Sequence, residues 1–181
     1  MYHTGAAYTT SLVTDRALAC LVLVVSDRRA AGTEVDGAGP LIRTEVLRAW
    51  PHAAVTVLIV PDERARIAEA IRAAAGAGTA LVLTTGGTGL AERDVTPEAT
   101  RDVLDRPAPG IVHAMLSAGI ASTTFAMLGR PEAGTVGRTL VVNLPGSPRG
   151  AVDSLRAIMP ALPHAIDVLT AAPGAETGHA P

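Results

Sequence analysis

Residues 80–98 read ALVLTTGGTGLAERDVTPE, and this stretch decides the fold. Its first six residues are apolar or small without alternation. Continuous hydrophobicity of that length indicates a strand buried on both faces, as in a parallel sheet covered by helices. The run empties into Gly86-Gly87-Thr88-Gly89, a turn that three glycines make easy. Thr96-Pro97-Glu98 then reads as a helix start, with Thr96 as N-cap, proline at the first helical position and an acid in the first turn. Strand, glycine turn and helix in that order are the opening of a parallel crossover.

Three more runs share the character of the first: Ala19–Val25 (ACLVLVV), 55–60 (VTVLIV) and Thr139–Leu144 (TLVVNL). Helical spacing lies between them. Ile42, Val46 and Trp50 fall on one face, and Ile67, Ile71 and Ala74 repeat the pattern. An apolar segment at 111–116 precedes a Gly/Ser/Thr-rich stretch, and residues 151–169 close the chain helically around Pro160 and Pro163. The alternation predicts a three-layer α/β/α domain with a mostly parallel central sheet and right-handed crossovers. Its expected span is 19–170, between flexible extensions at 1–18 and 171–181.

Composition narrows the chemistry. The chain has 181 residues, 48% of them hydrophobic and 18% charged, which suits one globular domain and excludes charge-driven disorder over most of its length. All 15 basic residues counted as Lys+Arg are arginine, so no Schiff-base lysine or phosphate-loop lysine exists. A net charge of −2 and 2% aromatics argue against a nucleic-acid partner. No apolar run reaches the roughly 18 residues of a membrane span, and the N-terminus lacks a basic start followed by an apolar stretch. A single cysteine, Cys20, sits inside an apolar run and reads as a core residue. The setting these features imply is cytoplasmic and reducing.

In open α/β sheets, ligands bind beyond the carboxyl ends of the strands. Each of the four runs here ends in a small, polar or glycine-rich turn. Ser26-Asp27 follows the first, Pro61-Asp62-Glu63 the second, Thr85 with Gly86, Gly87, Thr88 and Gly89 the third, and Pro145-Gly146-Ser147 the fourth. The third turn is a candidate phosphate cradle, because glycine lets successive N–H groups approach an anion and threonine adds hydroxyl donors. Taken alone, it also fits a plain strand-to-helix turn. Asp62 has a structural alternative as the cap of a helix beginning at Glu63, and Asp94 as an Asx-type brace of its own loop. Beside a phosphate cradle, two carboxylates also fit magnesium coordination or substrate orientation in phosphoryl-type transfer.

In this order, VSDR at 25–28, PDE at 61–63, TTGGTG at 84–89, RDVTPE at 93–98 and NLPGSP at 143–148 resemble the Mog/MoaB-type molybdopterin adenylyltransferase family of molybdenum cofactor biosynthesis. The similarity runs from about residue 19 to 169. It implies a three-layer α/β fold assembled as a homotrimer, in some members a hexamer. It also implies Mg-ATP-dependent adenylylation of molybdopterin with release of pyrophosphate, the product passing to a molybdenum-insertion protein. Carried over by position, the resemblance makes Asp62 and Asp94 the catalytic carboxylates and the Mg2+ ligands. Ser26, Asp27, the Thr85 to Gly89 turn, Pro145, Gly146 and Ser147 become the substrate-binding loops.

Several positions depart from the family pattern. His113 stands where a glutamate is usual and Leu116 where an arginine is usual. Gly129 and Ala38 each replace a serine, while Arg130 is retained. His113 is either a replacement polar ligand or a tolerated surface residue. The departures support an alternative, a catalytically degenerate pterin- or nucleotide-binding module with a scaffolding or regulatory role. A hydrolase related to the competence-damage proteins is a further possibility, set back by the second domain those proteins normally carry.

Overall fold

The computed structural model describes residues 17–170, so the two expected extensions lie outside it except for Ala17 and Leu18. Leu18 is buried, and its carbonyl accepts the Ala54 N–H at 2.8 Å, which ties it to the core. Six strands follow: β1 (Ala19–Val25), β2 (Ala54–Val60), β3 (Leu81–Thr85), β4 (Arg106–Pro107), β5 (Ala133–Val136) and β6 (Thr139–Leu144). Seven helices accompany them: α1 (Asp27–Ala30), α2 (Gly39–Ala49), α3 (Arg64–Gly76), α4 (Thr96–Arg101), α5 (Pro109–Ser122), α6 (Pro148–Ile158) and α7 (Leu162–Thr170). Short 3-10 turns at Thr124–Leu128 and Met159–Ala161 complete the path. Pro160 falls in the second of these, and Pro163 lies in the first turn of α7, where its missing N–H is tolerated.

One sheet runs in the order β2-β1-β3-β6-β5-β4. The four apolar runs read from sequence are its parallel part, and β5 and β4 extend it antiparallel beyond β6. The mixed sheet with helices on both faces is the three-layer fold the sequence implies. On β1, Cys20, Val22 and Val24 point to the layer holding Ile42, Trp50, Leu155 and Ile166. Leu21, Leu23 and Val25 point to the opposite layer, with Ile67, Ile71 and Ala99. Each fully buried side chain of this size contributes about 1.5–3 kcal/mol. Cys20 is among them, and burial pushes its thiol up to about 12.

β2 departs from the expectation of burial on both faces. It is an edge strand, and Val57, Leu58 and Ile59 remain 37–43% exposed because no helix covers them fully. No helix among the described residues is long and apolar enough to cross a membrane.

Asn143 is fully buried in the middle of β6, and its amide is satisfied at both ends. Nδ2 donates to the hydroxyls of Thr84 and Thr100, each at 2.9 Å, and Oδ1 accepts the Glu132 N–H at 3.1 Å. A buried amide without partners is costly, and this one instead binds β3, α4 and the approach to β5 together. From β1 the chain moves outward to β2, then crosses to β3 on the other side of β1. The order therefore reverses between β1 and β3, the kind of position at which open α/β sheets bind ligands.

Candidate functional site

The candidate site is built by the turns after β1, β2, β3 and β6. After β3, Gly86 and Gly87 take φ of +99° and +61°, a region L side chains rarely adopt. A Cβ on Gly86 would stand under 3.0 Å from the Val25 carbonyl oxygen, so the turn lies directly on the end of β1. A Cβ on Gly146 would come 3.2 Å from Gly86 Cα, which places the turn after β6 on the other side. Thr96 locks the turn from below. Its hydroxyl donates to the Gly86 carbonyl at 2.9 Å, and its N–H donates to the Gly87 carbonyl at 3.0 Å. The helix cap expected at Thr96 is therefore not there: Val95 holds the cap position without a side-chain bond, and the threonine hydroxyl serves the turn.

The two carboxylates singled out by sequence overhang this turn. A Cβ on Gly87 would lie 3.0 Å from Asp62 Oδ1, and one on Gly89 would lie 2.8 Å from Asp94 Oδ2. Asp62 does not cap α3, whose cap position is Glu63. It instead exchanges hydrogen bonds with Asp27: the Asp27 N–H donates to Asp62 Oδ2 at 2.8 Å, and the Asp62 N–H donates to Asp27 Oδ1 at 3.0 Å. Asp94 does brace its own loop, accepting the Ala91 N–H on Oδ2 at 3.0 Å. Arg93 reaches over the group, its Nε and Nη2 both donating to Asp27 Oδ2.

Electrostatics follow the geometry. Partial burial pushes the Asp62 carboxyl above the usual carboxylate range. The Asp27 amide works against that, and the negative charges of Asp27 and Asp94 add to it. The Asp27 carboxyl is held low, first by the Arg93 hydrogen bonds and then by the Asp62 amide. At Asp62 the negative charges of Asp27 and Asp94 are opposed by the single Arg93 guanidinium, so an anionic ligand would be repelled unless it brought positive charge with it. Among the described residues no three His, Cys, Asp or Glu side chains converge as a metal cage. That donor set fits Mg2+, which takes one or two carboxylates and completes its shell with waters and substrate phosphates. Asp62 and Asp94, the carboxylates at the glycine turn, could hold such an ion.

The other residues singled out by sequence divide in two. Thr88, Gly89, Pro145, Gly146 and Ser147 line a cavity of about 470 Å3 beside the turn, a size suited to a small organic ligand. Thr85 and Ser26 face inward: the Thr85 hydroxyl donates to the Pro145 carbonyl at 2.7 Å, tying two loops, and Ser26 Oγ accepts the Arg29 N–H at 3.4 Å as the cap of α1. The far wall of the cavity is apolar, with Met115, Leu116 and Leu128, and Phe125 stands 77% exposed beside it. Of the departures from the family pattern, Leu116 and Gly129 line the cavity, Ala38 is buried at the start of α2, and His113 does not line it. His113 sits exposed on α5, with Ser117 Oγ at 3.5 Å from its Nε2, which fits the surface-residue alternative.

Sequence reasoning did not anticipate the ties that Thr96, Asn143 and Arg130 make. Asn143 had a signal, since a lone amide within an apolar strand must find partners. Thr96 and Arg130 act through backbone carbonyls of a distant loop, which no local pattern announces.

Comparison with known proteins agrees with this geometry. Residues 21–164 match the family model described as a probable molybdopterin binding domain. The chain is 40% identical over 148 residues to a molybdenum cofactor biosynthesis bifunctional protein of Chlorobaculum tepidum, covering 82% of this chain and 47% of that one. It is 38% identical over 161 residues to gephyrin of Dictyostelium discoideum, covering 84% of this chain and 22% of that one. The chain thus spans about half or less of these two relatives. It is 37% identical over 151 residues to a molybdopterin adenylyltransferase of Helicobacter pylori, covering 82% of this chain and 85% of that one. Among solved structures, MoaB of Thermus thermophilus superposes with a TM-score of 0.78 at 45% identity, over 86% of this chain and 98% of that one. CinA of Thermoplasma acidophilum, at 19% identity and a TM-score of 0.62, shares the fold alone. With a family model over most of its length and close relatives across the same span, the chain belongs to the Mog/MoaB-like molybdopterin-binding family of molybdenum cofactor biosynthesis.

Proposed function

We propose that this protein is a molybdopterin adenylyltransferase, using Mg-ATP to form adenylyl-molybdopterin and pyrophosphate. The observation that carries the reading is the placement of Asp62 and Asp94 over the glycine turn at the point where strand order reverses. In the reaction, an oxygen of the pterin's terminal phosphate attacks the α-phosphorus of ATP. A new P–O bond forms as the bond from the α-phosphorus to the β-phosphate's bridging oxygen breaks, and pyrophosphate leaves with that electron pair. The backbone N–H groups of residues 86–89 stabilise charge on the transferring phosphoryl group, and the cavity beside them seats the pterin. Asp62 and Asp94 orient the reacting phosphates. Asp62 and Asp94 would hold Mg2+, which would supply neutralisation of polyphosphate charge.

The assembly we propose is a homotrimer, with a hexamer as the larger form. Its support is the exposed apolar edge strand β2, with Val57, Leu58 and Ile59, an edge that isolated proteins normally cover or charge. The product would pass to a molybdenum-insertion protein, and the working compartment would be the cytoplasm.

One observation favours a second reading, a binding module without turnover: Leu116 and Gly129 make the cavity wall apolar where the family pattern has charge and hydroxyl. A coupled pyrophosphate assay with Mg-ATP, with and without molybdopterin, separates the two. The adenylyltransferase releases pyrophosphate only when the pterin is present, and Asp94→Asn abolishes release while leaving the circular-dichroism spectrum and oligomeric state unchanged. Pterin binding without release establishes the module instead.

A further inference from the structure

Arg130 is engaged more fully than any other side chain near the site. Its backbone N–H donates to the Thr88 carbonyl at 2.9 Å. Its guanidinium divides three ways: Nε donates to the Gly89 carbonyl at 2.8 Å, Nη2 donates to the Asp94 carbonyl at 2.6 Å, and Nη1 pairs with Glu98 Oε1. Those partners are the end of the cradle, both ends of the loop 89–94, and the first turn of α4. Within that loop the other ties are local or made at the surface: Ala91 to Asp94, and Arg93 to Asp27. One planar group therefore holds both ends of the segment that carries Asp94. A guanidinium suits the task because its donors are fixed in a fork, whereas an ammonium is a point charge on a flexible stem.

The arrangement also says what Arg130 does not do. It lies in the stretch that lost the serine at 129, where a free cation would be available to a charged ligand. Three of its five N–H donors go instead to the Gly89 and Asp94 carbonyls and to Glu98. Burial pushes the Glu98 carboxyl up, but the Arg130 pairing and its own backbone hydrogen bond outweigh that and hold it low. Glu98 Oε2 is itself buried with no partner, so Arg130 supplies the side-chain hydrogen bond to this carboxylate, with its own backbone bond and the Arg101 charge beside it.

We infer that Arg130 is a positioning residue: it sets the Asp94 carboxylate over the glycine cradle through the carbonyls of Gly89 and Asp94, and it does not touch substrate. The catalytic consequence rests on the proposed adenylyltransferase reading. The placement of the loop does not.

The test accordingly has two arms, both on the full chain. Arg130→Met alone takes the side-chain partner from the half-buried Glu98 carboxylate, so the variants are Arg130→Lys, which keeps the charge, and the double variant Arg130→Met with Glu98→Met, which removes both. In the first arm, hydrogen exchange at the amides of residues 89–94 is expected to accelerate by about tenfold or more in both variants, with β3 and β6 unchanged. Exchange at the wild-type rate overturns the inference. In the second arm, Arg130→Lys is expected to lower kcat for pterin-dependent pyrophosphate release by about a hundredfold with the KM for ATP little changed. A KM effect without a kcat effect would make Arg130 a substrate contact and overturn the inference. Wild-type protein without turnover would refute the adenylyltransferase reading, and the exchange arm would still decide the role of Arg130.

Discussion

Replacing Gly86 by alanine tests the cradle most sharply, because the structure separates two penalties there. Gly86 has φ +99°, and a Cβ would meet the Val25 carbonyl oxygen at the end of the central strand β1, a backbone atom that cannot swing aside. Gly78 supplies the control, with φ +79° and nothing within 4 Å of its would-be Cβ. Gly78→Ala then measures the conformational penalty alone, about 1–2 kcal/mol. Gly86→Ala carries that penalty plus overpacking against backbone, about 1–3 kcal/mol more. For a chain of this size, 1 kcal/mol moves Tm by about 2–4 °C. Thermal denaturation should therefore show Gly78→Ala about 2–8 °C below wild type and Gly86→Ala about 4–20 °C below it. Equal Tm values for the two variants would mean that the turn does not lie on the end of β1 as described, and the cradle geometry would fall with it.

Other consequences are equally direct. Asp62 has a raised folded-state pKa, so its carboxylate favours folding only while protonated: that contribution is full below the ordinary aspartate range and lost as pH rises through the raised value. Asp62→Asn, whose amide oxygen still accepts the Asp27 N–H, should match wild type in Tm at acid pH and exceed it at neutral pH; a Tm below wild type at neutral pH would contradict the assigned cause. Asn143→Ala removes the partner of Thr84, Thr100 and the Glu132 N–H at once and should cost about 2–4 kcal/mol in urea unfolding, against under 1 kcal/mol if those bonds are not made. Cys20, with its thiol pushed up to about 12 by burial, should resist alkylation at pH 8 in the native protein and react on unfolding. Fast native labelling would place it at the surface.

What the sequence revealed and what it concealed have a physical pattern. β1, β3 and β6 were legible because strands buried on both faces require uninterrupted Val and Leu, and β2 shares that composition although it ends at the sheet edge. β4 and β5 were not legible. Arg106-Pro107 and Ala133-Gly134-Thr135-Val136 carry no apolar run, and they become strands only through pairing with each other and with β6. The candidate site was legible where one residue type performs one local task, as with Gly86 and Gly87 at positive φ. It was hidden where a side chain reaches a distant carbonyl. Thr96 reads as a helix cap from its neighbours, yet its hydroxyl goes to Gly86, ten residues back. Arg130 reads only as a retained basic residue, yet it is bound to Gly89, Asp94 and Glu98.

The central claim, that this site joins the α-phosphorus of ATP to the terminal phosphate of molybdopterin, is tested most directly by following radiolabel from ATP into the pterin. With Mg2+ present, label at the α-phosphate should appear on molybdopterin in step with pyrophosphate release, label at the γ-phosphate should appear only in pyrophosphate, and Asp94→Asn should abolish both. Label from the γ-phosphate on the pterin, α-label released only as free AMP, or no transfer despite pterin binding would contradict it.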